Sequence, residues 1–118
     1  MSVSVQRNVD GIHIRFTGSD AFWTFKRELD LPAADIANVY VGQVAELKPA
    51  LGWRTAGSYL PGVMICGHYA MKGQPGPRQL WCVYRAREVL VIETRLAKPC
   101  RVVLEVDDPR LLADQLSG

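Results

Sequence analysis

Residues 80–94 read Leu-Trp-Cys-Val-Tyr-Arg-Ala-Arg-Glu-Val-Leu-Val-Ile-Glu-Thr. Two short apolar runs, Leu80–Tyr84 and Val89–Thr94, flank the interruption Ala86-Arg87-Glu88. Runs of this length, rich in β-branched and aromatic residues and bounded by charge, are strands rather than helices. The interruption reads as a tight turn. Upstream, Val63–Tyr69 carries no charge and is apolar on both faces, so it is expected to be a central or covered strand. Downstream, Val102, Leu104 and Val106 recur at every second position, the period of a half-buried strand.

The same period opens the chain. Val3 and Val5, then Ile12, Ile14 and Phe16, alternate with polar residues across Asn8-Val9-Asp10-Gly11. Asp10-Gly11 is a strong hairpin signal, so two antiparallel strands are expected. Leu29 and Leu31 make a short strand stopped by Pro32, and Ile36, Val39 and Val41 make the next. Between them and the opening hairpin, Ser19 or Asp20 can cap a helical turn holding Phe22, Trp23 and Phe25. The favoured reading buries Phe22 and Phe25 and half covers Trp23; the sharper one makes Trp23 an exposed anchor. Residues 42–61 hold Gly42, Pro49, Gly52, Gly57 and Pro61 and read as one long loop. Lys72 to Pro77 reads as a turn cluster. At the end, Asp107 or Asp108 caps a helix with Pro109 in its first turn, and Leu111, Leu112 and Leu116 are expected to form its apolar face.

These elements predict one domain over residues 1–118, mainly β, with about seven antiparallel strands and one C-terminal helix. A share of 48% hydrophobic and 22% charged residues is ordinary globular usage and excludes a disordered chain. No window approaches 18 apolar residues, and Met1 to Gly11 lacks the basic end and apolar run of a signal peptide. The expected location is the cytoplasm. Cys66, Cys82 and Cys100 show no Cys-x-x-Cys spacing, which fits neither a disulfide framework nor a zinc site. Cys66 and Cys82 read as small buried hydrophobes, and Cys100, after Pro99, as more exposed. No metal and no cofactor are expected.

The net charge is +2, but the charges are segregated along the chain. Nine cations lie between Lys48 and Arg101, opposed there only by Glu88 and Glu93. In a sheet the acidic flanks can pair with this middle, so a mixed solvated surface is the plainer reading.

Candidate chemistry is sparse. Cys66 and His68, two apart on a strand, share a face, yet a buried cysteine beside a structural histidine is the expectation. His13 alternates with Ile12 and Ile14 and faces away from them. The stretch Arg54–Gly62 is the best candidate for specific binding, with Trp53, Arg54 and Tyr59 as an anion- or peptide-binding lip; Arg85 is added from the basic segment. The plainer reading of the same stretch is structural, with Gly57 and Gly62 supplying unusual backbone angles.

The order of elements, with Arg54-Thr55-Ala56-Gly57-Ser58-Tyr59-Leu60-Pro61-Gly62, Gly67-His68-Tyr69, Trp81-Cys82-Val83-Tyr84-Arg85, Leu90-Val91-Ile92-Glu93 and Val106-Asp107-Asp108-Pro109, resembles small bacterial pleckstrin-homology-like domains. The resemblance runs from about Ile12 to Leu116. It implies a strongly bent sheet or partly open barrel of seven strands, one mouth plugged by the terminal helix. It leaves the ligand open, since such folds serve lipid, peptide and scaffold roles. Lipid-binding members carry a basic loop between their first two strands. Here that loop is short and holds Asp10, which argues against a phosphoinositide site there.

The expected function is a non-enzymatic interaction or scaffold domain, acting through a protein partner or as a homo-oligomer through open strand edges. The alternative is a module for an anionic lipid or phosphate ligand, using the Lys48–Arg101 segment. Single-stranded nucleic acid is the weakest reading, resting on Trp81, Tyr84 and Arg85.

Overall fold

The computed structural model describes residues 2–18, 27–60 and 64–117, and the side chains there except at 2, 55, 56, 58, 75 and 117. The aromatic group Phe22, Trp23 and Phe25 lies outside the described residues. In chain order the elements are β1 (Ser2–Asn8), β2 (Gly11–Thr17), β3 (Glu28–Pro32), β4 (Ile36–Gln43), the single turn α1 (Val44–Leu47), β5 (Leu51–Leu60), β6 (Met64–Met71), β7 (Gln74–Val83), β8 (Glu88–Thr94), β9 (Arg101–Leu104) and α2 (Pro109–Ser117). Short 3-10 turns occupy Ala33–Asp35 and Lys48–Ala50.

The opening hairpin forms as its turn chemistry predicts. Asn8 pairs with Gly11, and the Asn8 Oδ1 accepts the N–H groups of Asp10 and Gly11 at 3.0 Å each. Strands β1, β2 and β3 make a three-stranded antiparallel sheet with β3 at its edge. The other six strands form a second sheet in the order β4-β8-β9-β7-β6-β5. Among the described residues there are thus nine strands in two sheets, not about seven in one. The uncharged strand β6 is central, between β5 and β7.

Not every pair is antiparallel. Strand β9 lies between β7 and β8, antiparallel to β8 and parallel to β7. The turn after β7 is therefore no hairpin ladder. It is an arch, residues 84–87, that steps over the end of β9. The residue after β9 supports it from below: Glu105 Oε1 accepts the backbone N–H groups of Tyr84 and Ala86, both at 2.9 Å.

Residues 42–61 are not a long loop. They hold the end of β4, α1, a 3-10 turn and the ten-residue strand β5. Glycine and proline disguised the strand, and its register slips twice, between Leu51 and Arg54 and between Arg54 and Ala56. Strand β7 likewise begins at Gln74, inside the expected turn cluster.

Chain length forces the large sheet to bend. A flat six-stranded sheet would hold its edges about 24 Å apart, at about 4.8 Å per strand. The link from β4 to β5 is α1 and one 3-10 turn, which advance roughly 12 Å together. The link is pinned at both ends, by Val44 N–H to Arg87 O and by Lys72 N–H to Ala50 O. The sheet curls around it, with no strand pairing between β4 and β5 to close a barrel. Register places Gly57, Gly67, Trp81, Val103, Val91 and Tyr40 in one row across the six strands. The two positions without side chains stand beside the bulkiest buried one, which leaves room for the Trp81 indole. Gly57 has φ +108°, and a Cβ there would lie 2.1 Å from the Cys66 carbonyl oxygen.

Two cores follow, one on each face of the large sheet. Ile12, Ile14, Phe16 and Leu31 of the small sheet meet Cys66, Leu80, Cys82, Leu90, Ile92, Val102 and Leu104 of the large one. On the concave face Ile65, Tyr69, Trp81, Val83, Val89, Val91 and Val103 pack beneath Leu47 of α1. Burial on both faces explains why these strands read as continuous apolar runs rather than alternating ones.

Helix α2 packs on β4, β8 and β1. Asp108 caps it, accepting the Leu111 N–H at 3.1 Å. Leu116 is 1% exposed and Ala113 is buried, but Leu111 is 53% exposed. The apolar face is Leu112, Ala113 and Leu116, and Leu111 points outward. Arg7 donates to the Leu116 carbonyl, which ties the helix end to β1.

Candidate functional site

Buried polar groups show how the concave face is held. Gln79 is 0% exposed. Its Nε2 donates to the carbonyls of Ala50 (3.1 Å) and Ala70 (3.2 Å), and its Oε1 accepts the Trp81 indole N–H at 2.8 Å. One amide therefore ties the crossover, β6 and the central indole together. Gln79 belongs to a second register row, Arg54, Tyr69, Gln79, Arg101 and Glu93. Along it, Arg101 donates to Glu93 at 3.0 Å, and the Tyr40 hydroxyl donates to the same Glu93 oxygen at 3.2 Å. The Arg101 Nε is buried without a hydrogen-bond partner among the described residues. Burial, and then the Glu93 charge, push the Tyr40 phenol up. Tyr69 opposes Arg54 and Gln79 in register. Burial raises its phenol to about 12, against a smaller lowering by the Arg54 guanidinium.

The outer end of this row opens into a groove of about 680 Å³ between the start of β5 and the β6–β7 turn. Its walls are largely apolar, from Leu51, Trp53, Ala70 and Met71, and its charges come from Arg54, Lys72 and Arg78. No carboxylate is among its described lining residues. Trp53 is 86% exposed, on the bulged start of an edge strand. Trp53 and Arg54 are both exposed and both line the groove, and the register slips on either side of Arg54 interrupt the regular alternation there. Arg78 Nη1 donates to the Gly76 and Pro77 carbonyls at 3.1 and 3.2 Å, which fixes it in the rim.

A second groove, about 340 Å³, lies between α1, the end of β5 and the 84–87 arch. Arg85, Arg87 and Lys48 line it with Leu60, Ile65 and Val83. The four residues singled out from sequence are thus divided. Trp53 and Arg54 share the first groove and Arg85 lines the second. Tyr59 is not part of a lip with Trp53: it packs into the concave core, edge to face with Tyr69 at 6.5 Å between ring centres. Lys72 and Arg78 carry no sequence signal beyond membership of the basic segment. That segment does not converge on one patch. Arg95 caps the Ala34 and Ile36 carbonyls, and Arg101 is paired with Glu93.

Cys66 is fully buried between the sheets, opposite Cys82, with Sγ 3.8 Å from the Val83 carbonyl. No disulfide joins Cys66, Cys82 and Cys100. Cys100 is half-buried, and burial pushes its thiol up. His13 faces outward between Asp30 (2.5 Å) and Glu28 (3.5 Å) of the neighbouring β3. Trp81 is inaccessible, so no base can stack on it. No helix among the described residues is long and apolar enough to cross a membrane.

Comparison with protein families, with curated proteins and with solved structures finds no match to this chain.

Proposed function

We propose that this chain is a non-enzymatic recognition domain, built on a variant of the pleckstrin-homology-like bent sheet, that takes an anionic ligand in the groove at Trp53, Arg54, Lys72 and Arg78. The observation that carries the reading is the groove itself. An almost fully exposed tryptophan stands beside three cations with no carboxylate among the described lining residues. An exposed indole of this size is uncommon on a monomer surface and marks recognition sites, because it offers apolar area at low entropic cost. Cations without acidic partners favour a phosphate or carboxylate group. The bulged backbone of β5 disfavours strand addition at Trp53, so recognition there rests on side chains.

Phosphate chemistry has two sources, a free phosphate compound or an anionic lipid surface. Titration calorimetry with pyrophosphate and pelleting with phosphatidylserine vesicles separate them. Binding to either that weakens about tenfold or more in R54Q/K72Q, and weakens with added salt, is the expected result. Failure of both probes to bind saturably would remove the reading.

The regular half of β5, from Ala56 to Leu60, favours a second reading. Its outer edge has no strand neighbour among the described residues, so two copies could pair there into a two-fold dimer. Sedimentation equilibrium decides it: a 13.1 kDa species at all concentrations excludes the dimer.

A further inference from the structure

The second groove differs from the first in how its cations are held. Its floor, Ile65 and Val83, belongs to the concave core, and Leu60 at its margin is about half exposed. Arg85 and Arg87 sit on the arch over β9, whose backbone is fixed at three points: Glu105 holds the Tyr84 and Ala86 N–H groups, and the Arg87 carbonyl accepts the Val44 N–H at 2.8 Å. Two carboxylates that touch the arch or its flank, Glu105 and Glu88, are engaged, and Glu46 of α1 is not among the lining residues. Glu105 is spent on the arch, and Glu88 accepts from Gln43 at 3.3 Å and Arg110 at 2.8 Å. The two guanidinium groups and Lys48 line the opening with no carboxylate among the described lining residues. An arch tethered at three points, carrying cations with no ion pair among the described residues over an apolar floor, is preorganised for a ligand with one charged end and one greasy end. The volume of about 340 Å³ sits at the small end of organic-ligand sites.

We propose that this groove is a separate binding site for a single-chain amphiphile, its carboxylate or phosphate head held by Arg85, Arg87 and Lys48 and its apolar chain lying on Leu60, Ile65 and Val83. The site does not depend on the Trp53 groove. A head without a chain leaves the floor wet, and a chain without a head leaves the cations without a partner, so both ends are needed.

The test is titration of the whole chain with decanoate below its micelle concentration, beside decanol and inorganic phosphate. Saturable one-to-one binding of decanoate is expected, with decanol and phosphate about tenfold weaker or more. The exposed double substitution R85Q/R87Q should weaken decanoate about tenfold or more, and A45L, which fills the groove from the exposed side of α1, should weaken it as well. W53A and R54Q/K72Q should leave it unchanged, which keeps this site distinguishable from the first. Circular dichroism checks that each variant is folded. Absence of saturable decanoate binding, binding indifferent to R85Q/R87Q, binding lost in R54Q/K72Q, or binding only to anionic vesicles would each overturn the proposal.

Discussion

Replacing Gln79 by methionine keeps the volume of the side chain and removes its amide. Three hydrogen bonds disappear, two to the Ala50 and Ala70 carbonyls and one from the Trp81 indole. The Ala50 oxygen keeps its bond from the Lys72 N–H, so its loss is partial. The two donated bonds are worth about 0.5–1.5 kcal/mol each, and a buried indole N–H left without an acceptor costs about 1–3 kcal/mol. The sum is roughly 2–6 kcal/mol, a large share of the 5–15 kcal/mol that typically stabilises a domain. Urea unfolding followed by far-ultraviolet circular dichroism measures it. With a slope of about 2 kcal/mol per molar, the midpoint should fall by about 1–3 M. The double-mutant cycle with Trp81→Phe isolates the indole bond. Gln79→Met should cost about 1–3 kcal/mol less in the Trp81→Phe background, because the orphaned donor is gone. A loss below about 1 kcal/mol, or no coupling between the two positions, would show that this amide does not hold the crossover to the sheet.

Tyr69 makes stability fall at alkaline pH. Its phenol ionises at 10.0 in the unfolded chain and at about 12 in the folded one, so the stabilisation is whole below pH 10 and is lost as pH rises from 10 to 12. Two pH units correspond to about 2.7 kcal/mol. Denaturant melts between pH 9 and 12 should lose most of that dependence in Tyr69→Phe, with the raised Tyr40 phenol and Cys100 thiol contributing to the remainder. Leu116→Ala should cost about 2–5 kcal/mol, because the side chain is buried between the helix and both sheets, whereas Leu111→Ala should stay within about 0.5 kcal/mol. Equal losses at the two positions in thermal melts would refute the assignment of the helix face. In native protein near neutral pH, a thiol reagent should modify Cys100 slowly and leave Cys66 and Cys82 untouched, with all three reacting after denaturation; rapid reaction of Cys66 would contradict its burial.

Much of the local structure is written in the sequence by itself. The period of two at Val3–Phe16, the Asp10-Gly11 turn, the apolar runs of β6, β7 and β8 and the capped terminal helix are short-range patterns, and each forms where the pattern stands. They form because the signals act between near neighbours, through backbone sterics and side-chain alternation. What the sequence could not decide is what lies beside what. Strand β9 enters between β7 and β8, so the stretch that reads as a tight turn is an arch held by Glu105. Strand β5 hid behind Gly52 and Gly57 because the sheet bends and bulges there, where backbone approach leaves no space for a Cβ. Gln79 gave no signal at all, since its partners are 29 residues back in the crossover and 9 residues back in β6. The candidate site divides in the same way. Trp53 and Arg54 stand out as an aromatic and a cation in one short stretch. Their meeting with Lys72 and Arg78, and the removal of Tyr59 to the core, depend on strand register, which is fixed by contacts distant along the chain.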